Sequence, residues 1–440
     1  MKKMMKAGKH LHCLILFAVS CGVIQFHSQG APQASNKIAV NTDRPSAIYK
    51  VSEKVVFTVS LEDSFSKEVK VHFTLREDGR AKPCAEGDQV LSPGKTSFTV
   101  EHEWERPSFV LLKITAPDVD DTPTLAGAAC EPEKLKPSLP KPEDFDAFWN
   151  AMKTSMDAML FNEVLVPVPE ATNQKIETYA ITLDGINGSK IRGYFSKPKG
   201  NGPYPIIMFV NAAGIYSIGT RTVTGYAERG AMAIDINAHD IENGQPVQYY
   251  KELENSTLKG WNHIGNSDRE KTYFLRMFCS CYRTAQYISS RPEWNKKQFV
   301  VQGSSMGGGQ SFVTAYLCPR VTAFAANVPA LCDHSGPIVG RLAGWPRWVS
   351  YANDKPDEKA LAASRYYDCV NFAYTIHAKA LVSAGFIDTN CPPSSVYAAF
   401  NALPGEKTFF NMPKAGHKVP PDWVKERDKF IATELGLEEK

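Results

Sequence analysis

The sequence predicts an α/β domain with a mainly parallel sheet, preceded by a small all-β sandwich. Three observations carry this reading. First, Val55, Phe57, Val59 and Leu61, then Val69, Val71, Phe73 and Leu75, then Phe98 and Val100, then Phe109 and Leu111 recur with period two, and no helical period intervenes. Second, from residue 143 to residue 440 short continuous apolar runs alternate with helix-periodic stretches, the pattern of buried parallel strands and their crossover helices. Third, Gly303-Ser304-Ser305-Met306-Gly307 falls between a strand-like run and a helix-like one.

Taken in order, residues 1–30 read as a signal peptide. Lys2, Lys3, Lys6 and Lys9 form a positive start, Leu11 to Phe26 is apolar, and Ser28-Gln29-Gly30 is a small-x-small site with cleavage before Ala31. The run from Leu14 to Ile24 is short for spanning a bilayer, and Ala18 disfavours lipid attachment at Cys21. A secreted or periplasmic protein is expected, and no later stretch is long and apolar enough to span a membrane. Residues 31–116 form the expected sandwich, with turns at Glu77-Asp78-Gly79 and Ser92-Pro93-Gly94. Trp104 is its one tryptophan, which favours a packing partner for the larger domain over a sugar-binding module. Residues 117–142, rich in Pro and Asp, read as a linker.

The domain over 143–440 opens with a helix through Phe145, Phe148, Trp149 and Met152. A hairpin around Asn187-Gly188 joins Ile176–Leu183 to Lys190–Ser196. Strands are then expected at Ile206–Val210, Ala231–Ile236, Lys297–Gln302, Ala380–Gly385 and Lys407–Met412, and helices near Thr222–Arg229, through Phe274, Met277, Phe278, Cys281, Ala285 and Ile288, and over Gly308–Leu317.

At 440 residues, 43% hydrophobic and 22% charged, the chain is too apolar to be disordered. Its formal charge of +3 becomes −1 once residues 1–30, with four lysines and no acid, are set aside, so nucleic acid is not an expected partner. The eight cysteines after residue 30 show no CxxC pair and no zinc-type His cluster. Buried free thiols are expected for most of them, and no metal or cofactor is implied.

Chemistry concentrates at Ser305. Its G-x-S-x-G setting on a strand-to-helix turn is that of a nucleophile elbow, where small residues at 303 and 307 permit a strained turn that lifts the hydroxyl clear of the sheet. A serine needs a base, and the base needs an orienting carboxylate. On an α/β-hydrolase fold these follow in the order Ser, Asp or Glu, His, each after a later strand. Asp388 follows the strand ending at Gly385, and His417 follows the strand ending at Met412. The amide of Met306 and one from the loop 211–214, of Ala212 or Ala213, are the expected oxyanion donors. Trp345, Trp348 and His239 are candidate substrate contacts.

From about Leu135 to Leu435 the chain resembles the acetyl xylan esterase and cephalosporin C deacetylase family of carbohydrate esterases. The resemblance lies in Pro142-Glu143-Asp144-Phe145-Asp146-Ala147-Phe148-Trp149, Ser290-Arg291-Pro292-Glu293, Gly303 to Gly309, Asn327-Val328-Pro329-Ala330-Leu331-Cys332-Asp333, Asp388-Thr389-Asn390-Cys391-Pro392-Pro393-Ser394 and Gly416-His417. It implies a triad of Ser305, Asp388 and His417, an acetylated oligo- or polysaccharide as substrate, and an oligomer, the family's being a ring-shaped hexamer. The chain departs from the family pattern at Asn237-Ala238-His239, where Arg-Gly-Gln is usual, at Asn211-Ala212-Ala213-Gly214, where His-Gly-Tyr is usual, and at Lys418 after the histidine, where Glu is frequent. Two other classes fit the same fold: a serine peptidase of prolyl oligopeptidase type, whose β-propeller is far larger than the sandwich here, and a non-catalytic carbohydrate-binding protein.

Overall fold

The structure, a computed structural model, describes residues 38–61, 67–80 and 82–438; the expected signal peptide lies outside them. Strands β1 (Ile38–Thr42), β3 (Lys54–Leu61) and β6 (Ser97–Glu103) form one antiparallel sheet. A second sheet has the order β2 (Ile48–Tyr49), β8 (Asp120–Cys130), β7 (Ser108–Ala116), β4 (Val69–Glu77) and β5 (Ala85–Leu91). The period-two residues Val55, Phe57, Val59, Leu61, Val69, Val71, Leu75 and Val100 are buried, as alternation requires, whereas in β7 the expected Leu111 is only half-buried and the inward register is that of Val110, Leu112 and Ile114. Trp104 is 1% exposed and lies against Tyr49 and His102, so it offers no platform to a sugar.

The stretch 117–142 is more than a linker, because β8 occupies Asp120–Cys130 and pairs along β7. Its glycine has a packing reason. A Cβ added to Gly127 would sit 2.4 Å from the carbonyl oxygen of Phe386, so only glycine lets β8 approach the chain just before Asp388. Beside it Phe109 meets the Phe386 ring edge-on at 5.2 Å and lies 5.8 Å from Tyr397. The Leu342 amide donates to the Asp78 carbonyl at 2.7 Å. The all-β region thus buttresses the segment carrying Asp388. A chain begun at Glu131 is expected to be less stable and to aggregate, because Phe386, Tyr397 and their neighbours lose their cover. Thermal melting and size-exclusion chromatography check this; a monodisperse, equally stable product weakened only on polymeric substrate would instead mark a binding module.

The larger sheet has nine strands in the order β19 (Lys407–Met412), β18 (Lys379–Gly385), β15 (Ala323–Asn327), β14 (Trp294–Ser304), β12 (Tyr204–Val210), β13 (Met232–Ile236), β11 (Lys190–Pro198), β10 (Ile176–Asp184) and β9 (Val164–Pro167). The six from β19 to β13 run parallel, and β11, β10 and β9 add an antiparallel edge. β13 and β15 are buried throughout, which is why they read as continuous apolar or small-residue runs. Alternate residues feed two cores. On one face Ile207, Ala233, Val300 and Leu381 pack with Val223 of α2 (Arg221–Ala227) and with Trp423, Ile431 and Leu435 of α9 (Pro421–Leu435). The other face is covered by α1 (Phe145–Asp157), α4 (Tyr273–Ser290), α5 (Met306–Leu317), α7 (Cys369–Ala373) and α8 (Pro393–Asn401). Helices α3 (Val247–Asn255) and α6 (Glu358–Ser364) and the small hairpin β16 (Tyr351–Ala352) and β17 (Lys355–Pro356) lie in the connections. No helix among the described residues is long and apolar enough to cross a membrane.

Candidate active site

β14 ends at Ser304 and α5 begins at Met306, so Ser305 alone makes the turn, with φ 57° and ψ −120°. That backbone costs a non-glycine residue on the order of 1–3 kcal/mol. Hydrogen bonds hold it: the Ser305 amide donates to the Asn327 carbonyl at 2.9 Å, and the Ser305 carbonyl accepts from the amides of Ala330 (2.9 Å) and Gly309 (3.1 Å). The flanking glycines have no alternative, since a Cβ at Gly303 would lie 2.2 Å from the Gly307 oxygen and one at Gly307 would lie 2.3 Å from the Val210 oxygen.

The structure brings Ser305, His417 and Asp388 into one hydrogen-bonded chain. The Ser305 hydroxyl donates to His417 Nε2 at 2.9 Å, and His417 Nδ1 donates to Asp388 Oδ2 at 2.8 Å. Asp388 is 3% exposed, and its Oδ1 accepts from the amides of Asn390 (2.8 Å) and Cys391 (2.9 Å). Both carboxylate oxygens therefore have work, one fixing the loop and one fixing the imidazole. Met306 is the first residue of α5, where a helix leaves its amide without an intrahelical partner. The Cys391 thiol lies against the Ser305 hydroxyl; burial holds it well above the ordinary thiol range, so it stays protonated.

The loop carrying Ala212 and Ala213 is tied down from four sides. Gln310 of α5 donates to the Asn211 carbonyl at 2.9 Å, and Asn211 Nδ2 donates to Asp235 Oδ1 (2.6 Å) and to the Ile236 carbonyl (2.9 Å). Burial pushes the Asp235 carboxyl up to about 7 against the contrary effect of that Asn211 bond. Tyr216 donates to the Ala212 carbonyl, and Asn237 donates to the Tyr216 carbonyl, both at 2.9 Å.

His239 completes this clamp and is not a surface contact. It is 1% exposed; burial first, and then the nearby Arg276 charge, lower its pKa to about 3, so the ring is neutral. Nε2 donates to the Gly214 carbonyl at 3.0 Å, and Nδ1 accepts from the Tyr273 hydroxyl at 2.8 Å. Arg276 in turn donates to Tyr273 and to the Ala238 carbonyl. Trp348 is likewise withdrawn from the surface: it is 1% exposed, stacks on Phe274 and Tyr367, and spends its indole N–H on the Asn266 carbonyl. Trp345 is half-buried against Trp261 and Phe274, and its amide donates to the Asn390 carbonyl beside the Asp388 loop.

One contributor escaped the sequence reading. Asn327, at the end of β15, is fully buried; its Nδ2 donates to Ser304 Oγ (2.8 Å) and to the Lys418 carbonyl (3.2 Å), and its Oδ1 accepts from Ser383 (2.7 Å). It links the turn at Ser305 to the loop of His417. The only signal was its place in the Asn327-to-Asp333 motif. Of the eight described cysteines seven are buried and Cys84 is exposed; none is paired.

The acetyl xylan esterase family model matches residues 131–434. The acetyl esterase Axe7A of Xylanibacter ruminicola is 34% identical over 367 residues, 82% of each chain. That alignment is longer than the 310 residues from Glu131 to the end, so it reaches into the all-β region. Acetyl xylan esterases from Paenibacillus sp. R4 and Thermoanaerobacterium sp. JW/SL YS485 share the fold, with TM-scores of 0.59 and 0.61 and 24% identity each. Each match covers 69% of this chain and, respectively, 99% and 97% of the solved one.

Proposed function

Because the chain belongs to the acetyl xylan esterase family, we propose that it is an exported serine esterase that removes acetyl groups from an acetylated oligo- or polysaccharide. The hydrogen-bonded order Ser305, His417, Asp388 carries this reading. His417 Nε2 takes the proton from Ser305 as Oγ attacks the ester carbonyl, while Asp388 holds Nδ1–H and offsets the imidazolium charge. The oxyanion accepts from the amides of Met306 and of Ala212 or Ala213. Collapse expels the sugar hydroxyl, which takes the His417 proton and leaves an acetyl-enzyme. Water, deprotonated by the same imidazole, then releases acetate. Trp345 is the remaining candidate for a sugar contact.

Incubation with acetylated xylan, acetylated oligosaccharides, p-nitrophenyl acetate and a proline-containing peptide anilide tests the reading. Acetate release from the glycans without anilide cleavage is expected; anilide cleavage alone would make the protein a peptidase, and no turnover would make it a binding protein.

His239 is a positioning residue in this scheme. His239→Ala is expected to lower kcat by about 10- to 100-fold with KM changed less than about twofold, because loss of the Gly214 bond lets the oxyanion amides drift while substrate binding elsewhere persists. His239→Gln, which can still donate to Gly214, is expected to recover part of the loss. Equal falls in thermal stability and activity for both variants would reduce His239 to a packing role.

A further inference from the structure

Helices α2 and α9 lie side by side on one face of the sheet, sharing the core of Val223, Trp423, Ile431 and Leu435. Between their outer surfaces runs a groove of about 460 Å³ lined by five cations, Arg221, Arg229, Lys425, Arg427 and Lys429, and one carboxylate, Asp428. Arg427 takes up Asp428 through Nη2 (2.7 Å) and Nε (2.9 Å), and Arg229 donates to the Glu438 carbonyl. Arg221, Lys425 and Lys429 have no ion pair among the described residues. Neighbouring carboxylates are turned elsewhere, Glu228 to Asn173 and Glu434 to Lys379, and neither Asp422 nor Glu426 lines the groove. Beyond residue 30 the chain carries a formal charge of −1, so this concentration of positive charge is local.

Its place is equally specific. The Ala212–Ala213 loop leads into α2, and α9 begins four residues after His417, so the chain enters each wall of the groove from a loop of the candidate active site. From Arg221 to Arg229 the helical rise gives it a length of about 12 Å. Nucleic acid is not the fitting anion, because the one ring among the described residues lining the groove, Tyr226, has Arg229 over it at 5.1 Å and Phe209 against it at 5.4 Å, which leaves no face for a base.

We propose that the groove binds the carboxylates of an acidic polysaccharide, so that a glycan bearing uronic acid residues lies along α2 and α9 while one of its acetyl groups reaches Ser305. This rests on the esterase reading above for the acetyl step and on the groove alone for binding. The test uses the full mature chain and its Arg221→Gln/Lys425→Gln/Lys429→Gln variant, changed only at exposed side chains. Affinity electrophoresis in de-esterified polygalacturonate measures binding without turnover; heparin and a single-stranded oligonucleotide serve as other polyanions. Polygalacturonate should retard the native chain, less so as salt rises from about 50 to about 500 mM, and should bind the variant at least about tenfold more weakly. For acetylated polygalacturonate kcat/KM should fall about tenfold in the variant, with p-nitrophenyl acetate hydrolysis unchanged within about twofold. An unretarded native chain, an equally retarded variant, or binding of heparin or oligonucleotide but not polygalacturonate would overturn the proposal. So would weaker binding with unchanged kcat/KM on acetylated polygalacturonate. A native chain that binds through these cations yet releases no acetate from any glycan would retain the groove and sink the esterase reading.

Discussion

Ser305→Ala is expected to lower kcat for acetyl ester hydrolysis by about 10⁴- to 10⁶-fold, since nucleophile, base and carboxylate act as a unit and what remains comes from the oxyanion donors and substrate binding. The fold should survive, because the turn at 305 is held by backbone bonds to Asn327, Ala330 and Gly309 that an alanine keeps. The same turn gives a second, opposite readout. Ser305 sits at φ 57°, a conformation glycine adopts freely, so Ser305→Gly should be as inactive as the alanine variant yet melt at a higher temperature, by about 1 kcal/mol or more of relieved strain. Acetate release and thermal melting of the three proteins measure both effects. Undiminished acetate release by a folded alanine variant would remove Ser305 from the mechanism.

What made this site legible is that each of its three groups stands just past a parallel strand, Ser305 after β14, Asp388 after β18 and His417 after β19, in the chain order the fold requires. β12, β13 and β18 are buried on both faces, and burial on both faces leaves an unbroken apolar run that composition alone reveals. β15 escaped because Ala323-Phe324-Ala325-Ala326-Asn327 is built from small residues whose burial is complete but whose hydrophobic signal is weak. β8 escaped for a related reason. Pro123, Gly127 and the alanines around it look like linker composition, yet Gly127 is a glycine because the strand presses on the backbone at Phe386. His239 and Trp348 show the converse. A polar ring and a large indole near predicted loop ends invite a substrate role, and only tertiary packing shows that both spend their hydrogen bonds inward. The replacement of the family's Arg-Gly-Gln by Asn237-Ala238-His239 reads from sequence as a loss. In the fold the new residues make their own bonds to the 211–216 loop, through Asn237 to Tyr216 and through His239 to Gly214.

Asp388→Asn should cost about 10⁴ in kcat and little in stability, and the structure says why the two effects separate. Oδ1 accepts the amides of Asn390 and Cys391, and an asparagine oxygen can take over both bonds. The side chain is then fixed with its NH₂ group where Oδ2 was, 2.8 Å from His417 Nδ1. Two donors cannot share that contact, so the imidazole is driven to carry its proton on Nε2, facing Ser305, and can no longer accept the serine proton. Asp388→Ala should behave differently. It loses the loop-fixing acceptor as well, leaving the buried Cys391 amide unpaired at about 1–3 kcal/mol and the half-buried Asn390 amide without its partner, so melting temperature should fall together with rate. Rate and melting measurements on the pair therefore distinguish a tautomer effect from simple loss of structure. A rate loss below about tenfold in the stable asparagine variant would mean that another acid orients His417. In that case the bond between His417 and Asp388 would be a structural contact of the loop and not part of the proton path.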